Sequence, residues 1–232
     1  MSELLQVRGM VLSSMPIGEN DKRVVLLTRE LGRISAFARG ARRPGSSLMA
    51  ASDPPAFGTF SLIPGRNSYS LAQARIDQYF RELAQEETGI YYGYYFLDFA
   101  DYYSREGIEA GDMLNLLYLS LKALLHKSLD NRLVRRIYEL RLMTINGEYA
   151  VQTEDLSEGA LYTVQYIQQS PLEKLYTFAV TPEILHELGT MLDRHMNKVL
   201  DRPLRSRKIL DAVAGGKETT GAMTGEEKQP SQ

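Results

Sequence analysis

A long stretch without proline constrains this chain more than any other feature. No proline occurs between Gln78 and Tyr149, and apolar residues recur there at helical spacing. Tyr92, Phe96, Phe99 and Tyr103 fall at i, i+4, i+7 and i+11, one stripe of a helix. Such a stripe either packs a core or, being rich in tyrosine, offers rings on which bases stack. Residues 112–126 and 131–145 read as two further helices.

The chain on either side of this stretch reads differently. Ahead of it, residues 4–13, 22–28, 33–39, 57–64 and 69–77 are short apolar or β-branched runs, with turn chemistry at Met15–Asp21 and Pro64–Asn67. Gly9 suggests a bulge or bend in the first run. Five short strands in 77 residues suit a small closed barrel such as the OB-fold. Behind it, Asp155-Leu-Ser-Glu158 has the form of a capping box, and Thr181-Pro-Glu183 opens a last long helix with Ile184, Leu188, Met191, Leu192 and Val199 inward. The predicted class is α+β: a five-stranded OB-fold over 1–77, an α-helical domain over 78–212, and a disordered tail over 213–232 with little to bury.

Composition narrows the function classes. The chain is 44% hydrophobic and 24% charged, as soluble proteins are, and no apolar run approaches the roughly 20 residues of a membrane span. The start, MSELLQVRG, lacks a signal-peptide pattern, so a cytoplasmic protein is expected. With no cysteine there is no disulfide, no thiolate nucleophile and no cysteine-ligated zinc. The net charge of −2 hides a split. Residues 1–77 carry ten basic and six acidic side chains, the remainder seventeen and twenty-three.

The basic excess concentrates between Gly18 and Leu48, where seven cations face three acids. Two strand-like runs joined at Arg29–Gly32 read as a hairpin. Period-two geometry puts Arg33, Ser35, Phe37 and Arg39 on one face of the second run, with Ile34, Ala36 and Ala38 on the other. Guanidinium groups flanking an aromatic ring suit a phosphate backbone and stacked bases. Arg33, Arg39, Arg42 and Arg43 are therefore candidates for phosphate contacts, Lys22 and Arg23 lie at their edge, and Phe37 is a candidate for stacking. The opposing reading has arginines that merely keep edge strands soluble, and Phe37 turned into the core. A second basic segment, Arg194 to Lys208, holds six Lys and Arg residues.

Catalytic patterns are missing. Gly40-Ala-Arg-Arg-Pro-Gly-Ser-Ser47 has the outline of a phosphate loop, but Ser46 stands where the lysine belongs, which excludes nucleotide hydrolysis by that motif. His126, His186 and His195 show no zinc spacing, and no carboxylate forms a recognisable motif with a histidine or serine. No enzyme, metal or cofactor is expected.

With these residues in view, the chain resembles the RecO family of bacterial DNA repair proteins. The likeness rests on Gly18–Asp21, Val24–Thr28, Gly32-Arg33 and above all Ala38-Arg-Gly-Ala-Arg-Arg-Pro-Gly-Ser46-Ser-Leu48. Val134–Leu142 with Gly147, Ser170–Leu175 and Arg202–Arg207 support it, so that it spans about residues 4 to 212. The resemblance implies binding of single- and double-stranded DNA, annealing of complementary strands, and a role with RecR in loading RecA during recombination and the response to DNA damage, in the nucleoid. It also implies binding of the acidic C-terminal tail of single-stranded-DNA-binding protein. For that tail, Arg132, Arg135, Arg136 and Arg141 beside Leu133, Ile137 and Leu140 are the expected site, unless these arginines pair with Glu139 and neighbouring acids. Many family members carry a four-cysteine zinc module after the segment matching Val134–Gly147; here Tyr149–Leu161 is short and has none. Two other readings stay open: a protein-docking adaptor, and an OB-type RNA-binding factor.

Overall fold

In the computed structural model, the apolar alternation of the front of the chain resolves into five strands. They are β1 (Leu5–Ile17), β2 (Asp21–Thr28), β3 (Gly32–Ala38), β4 (Phe57–Pro64) and β5 (Tyr69–Gln78). The structure describes residues 4–66, 68–86, 88–148 and 155–221, with side chains as far as 214. The strands close into a barrel in the order β1-β2-β3-β5-β4, antiparallel except for the β3–β5 pair, which is the five-stranded OB arrangement. Val7, Val11, Val24, Leu26, Ile34, Ala36 and Phe60 fill its interior.

Two local readings are corrected. β1 runs on to Ile17, through residues whose turn chemistry suggested a loop, because Met15, Pro16 and Ile17 pair with Arg23, Lys22 and Asp21. The bulge in β1 falls between Val11 and Ser13 rather than at Gly9. A Cβ on Gly9 would come within 2.7 Å of the Leu27 carbonyl oxygen, so the glycine serves close strand approach.

A four-residue helix, α1 (Leu48–Ala51), lies between β3 and β4, and six helices follow the barrel: α2 (Gly89–Tyr103), α3 (Gly111–Leu124), α4 (Asn131–Ile145), α5 (Glu158–Gln169), α6 (Pro182–Val199) and α7 (Arg205–Gly221). The tyrosine-rich stripe is core: Tyr92, Phe96 and Phe99 are buried and Tyr103 half-buried, and the Tyr138 hydroxyl donates to the Phe96 carbonyl across to α4. Thr181 caps α6 with Pro182 as its first residue, as expected. α5 is capped by Ser157 rather than Asp155, and Val199 of α6 is exposed.

α7 continues to Gly221, into the stretch that composition assigned to a disordered tail from 213. Leu210 is fully buried, which anchors the helix on the core, and the residues after it include no proline until 230. Residues 222–232 lie outside the described residues.

Barrel and helices share one apolar core. Met10, Leu12, Leu27 and Phe57, on the outer surface of the barrel, pack with Phe80, Leu83 and the helices, and the Phe57 and Tyr118 rings meet at 4.6 Å. The seam also carries polar links. The Arg33 amide donates to the Arg105 carbonyl at 3.0 Å, and Arg33 Nε donates to Asp101 at 2.5 Å.

Candidate nucleic-acid interface

The register of β2 and β3 decides which side chains share the outer face. Arg23 stands opposite Phe37, Phe37 opposite Ser70 of β5, and Met15 of β1 opposite Arg23. Since Ile34, Ala36 and Ala38 are buried in the barrel, Phe37 points outward and is half-buried on that face. Arg23 Nε donates to Ser35 Oγ at 2.8 Å, which lays the guanidinium along the strand. Met15–Arg23–Phe37–Ser70 thus forms a row across four strands, with Met15 about half exposed. Met15 was hidden from sequence reading by the turn assigned to Met15–Asp21; the signal was the alternation continuing through Met15 and Ile17.

At the end of β3 the chain leaves the sheet at Gly40, with φ of +66°, a conformation that L side chains rarely adopt. The Gly40 amide donates to Asp21 at 2.7 Å, and the Arg42 amide donates to the Asn20 carbonyl at 2.9 Å. These bonds hold the loop against the β1–β2 turn. Arg39, Arg42 and Arg43 are exposed there, and none has an acidic partner among the described residues. Arg42 reaches the Gly18 carbonyl at 3.2 Å, and Arg43 folds back over Gly40. Three exposed cations beside an outward aromatic make a surface that can hold phosphates and stack a base.

The other two expected contacts are placed differently. Lys22 donates to Asp53 at 2.6 Å and to the Met49 carbonyl at 3.1 Å, so its charge is met within the fold. Arg33 lies six residues from Arg39, about 20 Å along the strand, and is paired with Asp101 at the helical seam. The structure therefore brings together Arg23, Phe37, Arg39, Arg42 and Arg43.

Arginines of α4 meet another fate. Glu139 is fully buried, and it accepts from Tyr95, Arg135 and Arg136 at 2.6, 2.8 and 2.8 Å. Burial alone would raise its carboxyl, but Arg136, Arg135 and the Tyr95 hydroxyl outweigh that and hold it at about 2. Arg136 also grips Asp193 through two bonds, and Arg135 reaches Asp211. Arg141 faces away from this group and donates to the last carbonyls of α5. Arg132 binds Asp130, the N-cap of α4. Arg132, Arg135 and Arg136 nevertheless line one groove of about 350 Å³, with Leu185 and His186 of α6.

Metal chemistry finds little to work with. Among the described residues no three His, Asp or Glu side chains gather to hold a metal ion. His195 Nε2 lies 3.9 Å from Glu148, beyond hydrogen-bond range. No helix of the described residues is long and apolar enough to cross a membrane.

Comparison with known proteins fits this geometry. The family model described as Recombination protein O N terminal matches residues 1–80, the barrel, and that described as Recombination protein O C terminal matches 148–208. The chain belongs to the RecO family. Among similar relatives is the DNA repair protein RecO of Alkaliphilus metalliredigens, 31% identical over an alignment that spans 62% of this chain and 58% of that protein. The DNA repair proteins RecO of Acetivibrio thermocellus and Moorella thermoacetica are 24% and 25% identical, over 85% and 93% of this chain and 92% and 93% of theirs. Membership in the RecO family makes this a protein of DNA repair and recombination, with an OB-fold at its front.

Proposed function

We propose that this RecO-family chain is a recombination mediator without catalytic activity of its own. It binds single- and double-stranded DNA, anneals complementary strands, and acts with RecR to load RecA on DNA coated by single-stranded-DNA-binding protein, in the cytoplasm at the nucleoid. One observation carries the DNA part: Arg39, Arg42 and Arg43 stand exposed and, among the described residues, without acidic partners beside the outward ring of Phe37. The test is fluorescence anisotropy with single-stranded DNA, duplex and RNA over a range of salt. Each phosphate neutralised releases counterions, so log affinity for single strands falls by about 0.7 per contact against log salt. Replacing the three arginines together by alanine is expected to flatten that slope by about two units. An unchanged slope would move the site, with Arg194–Lys208 next to be tested. Tighter binding to RNA than to DNA would favour an RNA-binding factor, and no binding to any of the three would leave a docking adaptor.

The acidic tail of single-stranded-DNA-binding protein has a place in the same reading. The groove of Arg132, Arg135 and Arg136 supports it, since guanidinium groups meet carboxylates while Leu185 offers an apolar wall. Arg132→Ala is the milder probe, because its partner Asp130 is exposed whereas Arg135 and Arg136 hold the buried Glu139. Loss of one charge-assisted contact is expected to weaken a tail peptide by about ten-fold or more. DNA affinity is expected to change little.

A further inference from the structure

The helical region holds a second, different surface, which meets the arginine groove at Pro182. An apolar groove of about 640 Å³ lies between α5 and the segment leading into α6, and no residue that lines it is charged. Tyr162, Tyr166 and Phe178 form its aromatic wall. The Tyr162 ring is 67% exposed, and the Tyr166 and Phe178 rings meet edge to face at 5.1 Å. Val180 and Ile184 extend the apolar surface.

The backbone beside this wall is unpaired among the described residues. Exposure alternates from Phe178 to Thr181, with Phe178 and Val180 half-buried and Ala179 and Thr181 exposed, as in a strand. Among the described residues, Phe178, Ala179 and Val180 make no backbone hydrogen bond. A row of free N–H and C=O groups next to an aromatic trough is a template for another strand.

Charge selects what that strand carries. Glu158 and Glu183, exposed in the first turns of α5 and α6, adjoin the lining residues Gly159, Pro182 and Ile184. The Thr181 hydroxyl bonds the Glu183 carboxylate and lowers its pKa, so it stays charged. Glu187 follows one turn later and accepts from the Ser157 amide. A nucleic-acid strand would bring phosphates to these carboxylates and find no cation in the lining, which disfavours it despite the rings.

We propose that this groove captures an extended basic peptide of a partner protein. The peptide pairs as a strand with Phe178–Val180 and seats an apolar side chain among Tyr162, Tyr166 and Phe178. Its Lys or Arg side chains meet Glu158 and Glu183 and lie against the exposed ring of Tyr162. The occupant is opposite in charge to one suited to the Arg132–Arg136 groove, so the two surfaces take different ligands.

The test uses the full chain and a fluorescein-labelled nonapeptide of alternating lysine and valine, acetylated and amidated at its ends. Saturable binding is expected. It should weaken at least ten-fold with Tyr162→Ser, with Glu158→Lys combined with Glu183→Lys, and when alternate peptide nitrogens are methylated to block pairing. Tyr162 is exposed, so its variant should melt at the parent temperature, and hydrogen exchange should show the Ala179 and Val180 amides protected on binding. No binding would overturn the proposal, as would equal binding of the glutamate–valine peptide or indifference to methylation. So would displacement of the peptide by a single-stranded oligonucleotide in the Arg39, Arg42 and Arg43 alanine variant, which would assign the groove to nucleic acid.

Discussion

Two groups of arginines in this protein share a residue type and little else. Arg39, Arg42 and Arg43 sit on a loop held by backbone bonds, reach into solvent and, among the described residues, form no ion pair. Arg135 and Arg136 sit on a helix, are nearly buried, and close around Glu139. The loop keeps its shape through Gly40 and Asp21, so its cations are free to meet an outside anion. The helix keeps its packing through its cations, which are already committed to Glu139, Asp193 and Asp211. The count of basic residues is therefore a poor guide to a ligand; whether a carboxylate already pairs with them separates the two groups.

That contrast breaks most visibly at Glu139. Glu139→Ala removes the buried carboxylate that two arginines share, leaving each only its more exposed aspartate, and is expected to cost about 3–5 kcal/mol in chemical denaturation. The triple alanine variant of Arg39, Arg42 and Arg43 should stay within about 0.5 kcal/mol of the parent. A similar loss in both would erase the distinction. A titration sharpens it next. The folded pKa of Glu139, about 2, lies below its ordinary 4.5, so its contribution is complete above pH 4.5 and disappears as pH falls toward 2. Stability lost over that window should be on the order of 3 kcal/mol. Glu139→Gln should flatten the profile there.

Smaller effects test the exposed side. Phe37→Ala is expected to weaken single-stranded DNA by about 1–3 kcal/mol, the worth of one stacked base, with stability measured in parallel. No loss would leave the loop arginines acting without a ring. Lys22→Ala breaks the bond to Asp53 and should lower stability by less than about 1 kcal/mol, with a smaller effect on DNA than any of the three loop arginines.

Much of the fold was legible because it depends on local period. Alternation located all five strands, and spacing of three and four located α2 to α6, though not α7, and showed the tyrosine stripe as one face. Period two also split β3 into the two faces that the structure shows, although it could not say which one was buried; that follows from Ile34, Ala36 and Ala38 closing the barrel. The site was legible only in part. Lys22 meets Asp53 and Arg33 meets Asp101, partners 31 and 68 residues away, and no local pattern announces either. Glu139 was different, since pairing at i+3 and i+4 on a helix can be read directly. The turn residues Met15–Ile17 misled because the ladder to β2 outweighed their own preference.

The shared flank of the barrel has a practical consequence. Met10, Leu12, Leu27 and Phe57 lie on the outside of a closed sheet yet inside the molecule. A fragment cut after Gln78 would keep every strand and still present this greasy side to water, inviting self-association. The intact chain should melt in one transition rather than two, because neither half has a finished surface without the other. Swapping the OB portion between distant relatives would then demand matching the helices that clothe it as well as the loop that carries the arginines.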